Sequence, residues 1–89
     1  MISRTTERFR KSLENLPPQI RRQARQAHLL FRENPYHPSL HFKQIHPAKP
    51  IYSARVNIDY RVVGLRDGDE IIWFWIGTHS DYDKLISQF

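Results

Sequence analysis

The chain has 89 residues, of which 39% are hydrophobic, and it contains eleven aromatic residues and no cysteine. This composition predicts one small domain over residues 1–89 and excludes a disulfide framework or a cysteine-based zinc site. Residues 1–50 hold ten Lys and Arg against three Asp and Glu, whereas residues 51–89 hold four against six. This uneven charge predicts an acidic or polyanionic partner for the first half. No segment resembles a signal peptide or is long enough to span a bilayer, so we expect a cytoplasmic protein with no membrane partner.

The first third of the chain predicts two helices that form a hairpin. Met1 to Arg4 is compatible with a short edge strand, after which Thr5 or Thr6 can cap a helix. The pair Pro17-Pro18 separates the two helices, and the second is expected to end near Asn34-Pro35. The apolar stripes of the two helices are Phe9, Leu13 and Leu16, then Ile20, Ala24, Ala27 and Phe31. The small alanines are expected to let the second helix lie close to a sheet.

The remainder of the chain is typical of antiparallel strands followed by one short helix. Residues 40–45 and 51–57 alternate in polarity, and residues 60–65 resume the pattern after a turn at Ile58-Asp59. Asp67-Gly68 is a hairpin turn signal, and residues 81–89 have helical spacing. The predicted fold is therefore α+β, with an N-terminal helical hairpin packed on a curved antiparallel sheet of three to four strands and a short C-terminal helix.

Six consecutive large apolar residues, Ile71 to Ile76, predict a central strand that is covered on both faces. Strict alternation places Trp73 and Trp75 on one side of the sheet and Ile72, Phe74 and Ile76 on the other. Gly77 ends the apolar run, and a cluster of polar and titratable side chains follows it at once.

Cationic and proton-transfer groups are predicted to converge at one end of this sheet. Arg55 and Arg61 lie near strand ends, and two guanidinium groups can bind phosphate oxygens and stabilise a phosphorane-like transition state. Histidine is the side chain whose ordinary pKa lies closest to neutral pH, so His79 is a proton-transfer candidate, and Asp81 and Tyr82 are further ones. Lys43 and Lys49 add positive charge for RNA binding. On spacing alone, ordinary surface arginines and a helix-capping histidine explain these residues better than a catalytic site does.

A metal site is not predicted, and no cofactor is expected. His41 and His46 have HxxxxH spacing and His37 is nearby, but no helix places them and no cysteine joins them.

Four stretches together resemble the RelE/ParE superfamily of toxins from bacterial type II toxin–antitoxin pairs. They are residues 16–20 (Leu-Pro-Pro-Gln-Ile), 33–40 (Glu-Asn-Pro-Tyr-His-Pro-Ser-Leu), 53–61 (Ser-Ala-Arg-Val-Asn-Ile-Asp-Tyr-Arg) and 75–83 (Trp-Ile-Gly-Thr-His-Ser-Asp-Tyr-Asp). The resemblance covers nearly the whole chain, in the family's order. It implies a RelE-like fold, a cognate antitoxin as partner, and, for the ribonuclease members, cleavage of mRNA on the ribosome without a metal.

The resemblance also implies roles for individual residues. The family's Tyr-Arg pair falls on Tyr60-Arg61, the strand cation before it on Arg55, the position after Ile-Gly on His79, and the late tyrosine on Tyr82. Ribonucleases related to RelE often carry lysines before the Tyr-Arg pair, where this chain has Ser53 and Ala54; in this respect it is more similar to the HigB-type branch. A ParE-like inhibitor of DNA gyrase and a catalytically inactive antitoxin-binding or RNA-binding domain of the same fold are the alternatives.

Overall fold

The computed structural model describes all residues 1–89 and contains three α-helices and five strands. The elements in chain order are β1 (Ile2–Thr5), α1 (Glu7–Glu14), α2 (Pro18–Glu33), a 3₁₀ turn (Pro38–Leu40), β2 (Lys43–Gln44), β3 (Ile51–Arg55), β4 (Tyr60–Asp67), β5 (Glu70–Thr78) and α3 (His79–Ile86). The expected α+β fold with an N-terminal helical hairpin and a short C-terminal helix is confirmed.

The sheet has five strands in the order β1-β5-β4-β3-β2. Strands β2 to β5 are antiparallel neighbours, and β1 pairs in parallel with the outer side of β5. The sequence predicted three to four antiparallel strands, so the parallel edge strand and the mixed character of the sheet are additions. Four residues of β1 are too few to show a period, which is why pattern alone left this strand open.

The helix ends lie where the sequence signals predicted them. Thr6 caps α1, since its Oγ1 accepts a hydrogen bond from Phe9 N at 3.1 Å. Pro18 begins α2, and the Asn34 N–H donates to the carbonyl of Leu30 where that helix ends. The prediction of a strand over residues 40–45 is largely wrong, because only Lys43–Gln44 pairs with β3 and the chain before it forms the 3₁₀ turn.

Two apolar clusters lie on opposite faces of the sheet, and these faces are named here for the helices that cover them. The hairpin face is covered by α1 and α2, and its cluster is Phe9, Phe31, Leu40, Ala54, Ile71, Trp73 and Ile76, with Ala24 and Ala27 packed against it. The α3 face is covered by α3, and its cluster is Ile51, Val63 and Tyr82, with Ile45, Phe74, Trp75, Leu85 and Ile86 packed against it. Ala24 and Ala27 face the sheet as predicted, but the expected close approach of α2 is not found, because both alanines also line a cleft between α2 and the sheet.

The prediction that Trp73 and Trp75 share a face is wrong. Val63 pairs with Trp75 but Gly64 pairs with Trp73, so Phe74 is an extra residue on β5. Such a bulge changes the phase of the alternation. Trp73 therefore packs on the hairpin face and Trp75 on the α3 face. Gly64 permits this arrangement, because a β-carbon there would lie 2.8 Å from Trp73 Cε3 and 2.9 Å from the carbonyl oxygen of Ile72.

Candidate functional site

Two arginines face each other on neighbouring strands at one end of the sheet. Arg55 is the last residue of β3, and it lies directly opposite Arg61 of β4. Alternation from Ser53, which bonds to a side chain of α3, directs both toward the α3 face, and Arg55, at the end of its strand, also borders the space under α2. Neither arginine forms an ion pair with a carboxylate. Like charges placed directly opposite destabilise a sheet, so this pair is an energetic cost that a bound anion would relieve.

A tight turn between β3 and β4 orders Arg61. The side-chain oxygen of Asn57 accepts hydrogen bonds from the N–H groups of Asp59 and Tyr60, each at 2.8 Å. The Asn57 amide nitrogen also donates to Gln23 Oε1 at 2.6 Å, which ties the turn to α2. The main-chain carbonyl of Asn57 accepts from Arg61 Nη1 at 3.2 Å. One guanidinium N–H is thereby engaged, and the others are left for a ligand.

His79 is the first residue of α3 and is exposed. Its N–H donates to the carbonyl of Asp59 at 2.6 Å, which attaches the helix to the same turn that orders Arg61. The preceding Thr78 caps α3, and it pairs across the sheet with Tyr60, the neighbour of Arg61. The His79 ring stacks on Tyr82, with centroids 5.8 Å apart and planes inclined by 17°. The structure therefore places His79 at the same end of the sheet as Arg55 and Arg61.

Tyr82 is only 6% exposed and lies on the side of α3 that faces the sheet. Its hydroxyl donates a hydrogen bond to Ser53 Oγ at 3.2 Å, and Ser53 is itself buried. The ring of Tyr82 is therefore not accessible as a platform on which an RNA base could stack. The Tyr82 ring instead supports His79 by stacking against the buried side of its imidazole.

The other predicted site residues are distributed unevenly. Asp81 is exposed on the first turn of α3, and its N–H donates to the Thr78 hydroxyl at 3.2 Å. Lys43 lies directly opposite Ser53, so it extends the positive surface beside Arg55. Lys49 lies beyond the opposite end of β3, whose first residue Ile51 is itself roughly 13 Å along the strand from Arg55 by the usual rise per residue. The structure does not bring Lys49 to the others.

The sequence pattern did not predict that Asn57 orders Arg61 or that Trp75 lies on the α3 face. Asn57 was assigned only to the polar face of a strand, although Asn is a typical residue for ordering turns through its side chain. Trp75 was placed on the same side of the sheet as Trp73, and the bulge at Phe74 brings it to the α3 face instead.

A separate cleft of about 410 Å³ lies between the helical hairpin and the sheet. Its apolar walls include Phe9, Leu13, Ala24, Phe31, Ala54 and Trp73. Arg10, Arg21, Arg25 and Arg55 also line it, and Glu14 is its one acidic residue. Partial burial, and then the charge of Arg32, lower the pKa of His28 at the same cleft, so this side chain is neutral near pH 7. The cleft is therefore apolar inside and cationic at its edges.

No cluster of three or more His, Asp or Glu side chains is arranged to hold a metal ion. None of the helices has the length and apolar content needed to cross a membrane.

A family model for the ParE-like toxin domain matches residues 18–84, which is most of the chain. The chain belongs to the ParE-like toxin domain family. This confirms the resemblance to the RelE/ParE superfamily. The matched region contains α2, all the antiparallel strands and the start of α3, and thus every residue described above for the α3-face site. A comparison with curated protein sequences finds no match.

Solved structures of toxins have the same fold as this ParE-like domain. RelE in the antitoxin–toxin complex from Methanococcus jannaschii is 24% identical, with a TM-score of 0.71 over 91% of this chain and 96% of that one. YafQ from E. coli is 15% identical, with a TM-score of 0.68 over 90% and 94% of the two chains. The intact E. coli RelBE complex gives 16% identity and a TM-score of 0.64 over 85% and 93%. At these identities the likeness concerns the fold alone.

Proposed function

We propose that this ParE-like domain is the toxin of a toxin–antitoxin system and that it cleaves mRNA on the ribosome. The observation that supports this most strongly is that Arg55 and Arg61 face each other without a carboxylate partner, at the same end of the sheet as the exposed His79. Two cations without carboxylate partners provide a site for a phosphodiester, and the adjacent imidazole provides proton transfer. Several relatives of the same fold are toxins in complex with antitoxins.

The proposed reaction is transfer of a phosphodiester to the neighbouring 2′-oxygen. The 2′-hydroxyl loses its proton to the Asp81 carboxylate as its oxygen attacks phosphorus. The bond from phosphorus to the 5′-oxygen breaks, and His79 in its protonated form donates a proton to that oxygen. The products are a 2′,3′-cyclic phosphate and a 5′-hydroxyl. Arg61 and Arg55 stabilise the charge that accumulates on the phosphoryl oxygens during the step.

Lys43 extends this positive surface along the sheet, and Ser53 lies between Lys43 and the buried ring of Tyr82. Lys43 therefore contacts the RNA backbone on one side of the scissile phosphate. Contacts of this kind are independent of base sequence and weaken as salt rises.

The antitoxin is proposed to insert an amphipathic acidic segment into the cleft between the helical hairpin and the sheet. The apolar walls fit the buried side of such a segment, and Arg10, Arg21 and Arg25 fit its carboxylates. Because Arg55 also lines the cleft, an antitoxin seated there lies next to the proposed cleavage site.

Inhibition of DNA gyrase is the second candidate, since the matching family model is named for ParE-like toxins. The two functions differ in what they require of His79: RNA cleavage needs a proton donor, whereas a gyrase-binding surface does not. An inactive antitoxin-binding domain would require neither His79 nor Arg61.

Expression of the chain in bacteria, followed by mapping of transcript 5′ ends, tests the proposal. The wild type is expected to produce new 5′ ends within translated regions and to stop growth. Arg61→Ala and His79→Ala are expected to lower cleavage by about a hundredfold or more. Arg22→Ala removes one exposed positive charge from α2 and serves as the matched control. If the two site variants are as toxic as the wild type, the nuclease proposal fails and the gyrase proposal is favoured.

A further inference from the structure

The indole of Trp75 lies against the main chain at Gly77. A β-carbon at Gly77 would lie 2.6 Å from Cζ2, 2.7 Å from Cη2 and 3.4 Å from Cε2 of this ring. The six-membered ring of Trp75 therefore occupies the space where a side chain at position 77 would project. Gly77 is the direct cross-strand partner of Arg61, so the indole is placed beside Arg61 on the α3 face.

The surroundings of the two tryptophans differ. Trp73 is 5% exposed, and its Nε1–H donates to Ser3 Oγ at 2.8 Å on the hairpin face. Trp75 is half-buried, and no hydrogen bond engages its Nε1. Its ring centre is 6.5 Å from that of Tyr82, with planes inclined by 44°. Trp73 thus fills the core, whereas Trp75 keeps part of its surface open next to the arginine pair.

We propose that Trp75 is a nucleobase-binding subsite, on which the base next to the phosphate held by Arg55 and Arg61 stacks. The ligand class is a base of single-stranded RNA. Every base has a flat π surface that can stack on an indole, so the contact tolerates different sequences and positions the strand. This inference rests on the proposed function for the identity of the phosphate, and Trp75 takes the role that the buried ring of Tyr82 cannot fill.

Gly77 is part of the subsite because its lack of a side chain leaves room for the indole of Trp75. A methyl group at position 77 would collide with the ring, and the ring would have to tilt away from Arg61. Gly77→Ala therefore disturbs the subsite while leaving both arginines and Trp75 in the sequence.

Intrinsic fluorescence can test the subsite, since the chain has two tryptophans on opposite faces. Trp73→Phe leaves Trp75 as the single emitter, and Trp75→Phe leaves Trp73. The probe is a short single-stranded RNA with 2′-O-methyl sugars, in which the blocked 2′-oxygen cannot attack phosphorus, added at low ionic strength. We expect the probe to quench the emission of the wild type and of Trp73→Phe and to leave that of Trp75→Phe unchanged.

Affinity is measured on the same probe by fluorescence anisotropy of an attached dye. Trp75→Leu is expected to weaken binding about tenfold, as loss of one base–aromatic stack does. Gly77→Ala is expected to weaken it in the same direction by a smaller factor. Trp73→Phe, in which the substituted ring lies on the other face, is expected to bind as the wild type does.

The proposal is overturned if Trp73→Phe shows no quenching or if Trp75→Leu binds as tightly as the wild type. The ribosome-dependent cleavage assay separates this result from the proposed function. Quenching at Trp75 without any cleavage by the wild type would support the base subsite and reject the nuclease. Cleavage by the wild type that Trp75→Leu leaves unchanged would support the nuclease and reject the subsite.

Discussion

The hydroxyl of Tyr82 donates a hydrogen bond to Ser53 Oγ at 3.2 Å across a buried contact between α3 and β3. This bond joins two elements that are far apart in sequence, and it fixes the ring that stacks on His79. Both polar atoms are inside the α3-face cluster, where neither can bond to water instead. The position of the exposed imidazole thus depends on a buried polar pair.

The first prediction concerns the free energy of unfolding. Tyr82→Phe and Ser53→Ala each leave one buried hydroxyl without a partner, and each should destabilise the domain by about 1–3 kcal/mol. The double variant replaces both partners by apolar groups, so its destabilisation should be clearly less than the sum of the two single effects. Urea unfolding of the four proteins measures this coupling. Strictly additive losses would mean that the two hydroxyls do not share a bond in solution.

The contact between Tyr82 and Ser53 shows where the sequence is informative and where it is not. The helical hairpin follows from local signals, because the apolar spacing and the Pro17-Pro18 pair act within a few residues of the structure they produce. The convergence of Arg55, Arg61 and His79 also follows, because antiparallel neighbours bring their ends together. The burial of Tyr82 depends instead on a serine 29 residues earlier in the chain, and no local pattern indicates that.

The apolar run on β5 concealed a second feature. Residues 71–76 contain no polar side chain that would mark a face, so the extra residue Phe74 leaves no signal in the alternation. Because the bulge left no signal, Trp75 was placed on the wrong face of the sheet. Its position beside Arg61 was not predicted for the same reason. A continuous apolar run therefore predicts that a buried strand is present, but it does not predict which face of the sheet each side chain occupies.

The second prediction separates activity from stability at the arginine pair. Arg55→Ala should lower ribosome-dependent cleavage by about a hundredfold, because it removes one of two phosphate contacts. The same change relieves a like-charge contact, so the free energy of unfolding should stay unchanged or rise by about 0.2–1 kcal/mol. Cleavage rates and thermal unfolding of Arg55→Ala are compared with those of Arg22→Ala, which has the same net charge. A substantial loss of stability in Arg55→Ala alone would show that the pair has a structural role.

The third prediction concerns the bulge on β5. Gly64→Ala should destabilise the domain by about 1–3 kcal/mol, because the new β-carbon would collide with Trp73 and with the main chain of Ile72. Gly68 is a control of a different kind, since it has a φ of +58° with open space around it. Asparagine tolerates this backbone conformation, so Gly68→Asn should have little effect on stability. Thermal unfolding compares the variants, and a neutral Gly64→Ala would indicate that β4 and β5 pair without the bulge.

The last prediction concerns the cleft between the helical hairpin and the sheet. Ala24 lines this cleft, whereas Leu29 is half-exposed elsewhere on α2 and does not. Ala24→Leu should occupy space that the antitoxin segment needs and weaken its binding by about tenfold or more, as steric overlap in a well-packed contact does. Cleavage should persist, because Arg61 and His79 do not line this cleft and the substitution leaves Arg55 in place. Leu29→Ala should change neither property.

Co-expression with the cognate antitoxin, with growth as the measurement, should therefore show rescue of the wild type and of Leu29→Ala but not of Ala24→Leu. Binding measured at low and high salt should also decline as salt rises, since the cleft edge carries arginines. Full rescue of Ala24→Leu would place the antitoxin on a different surface.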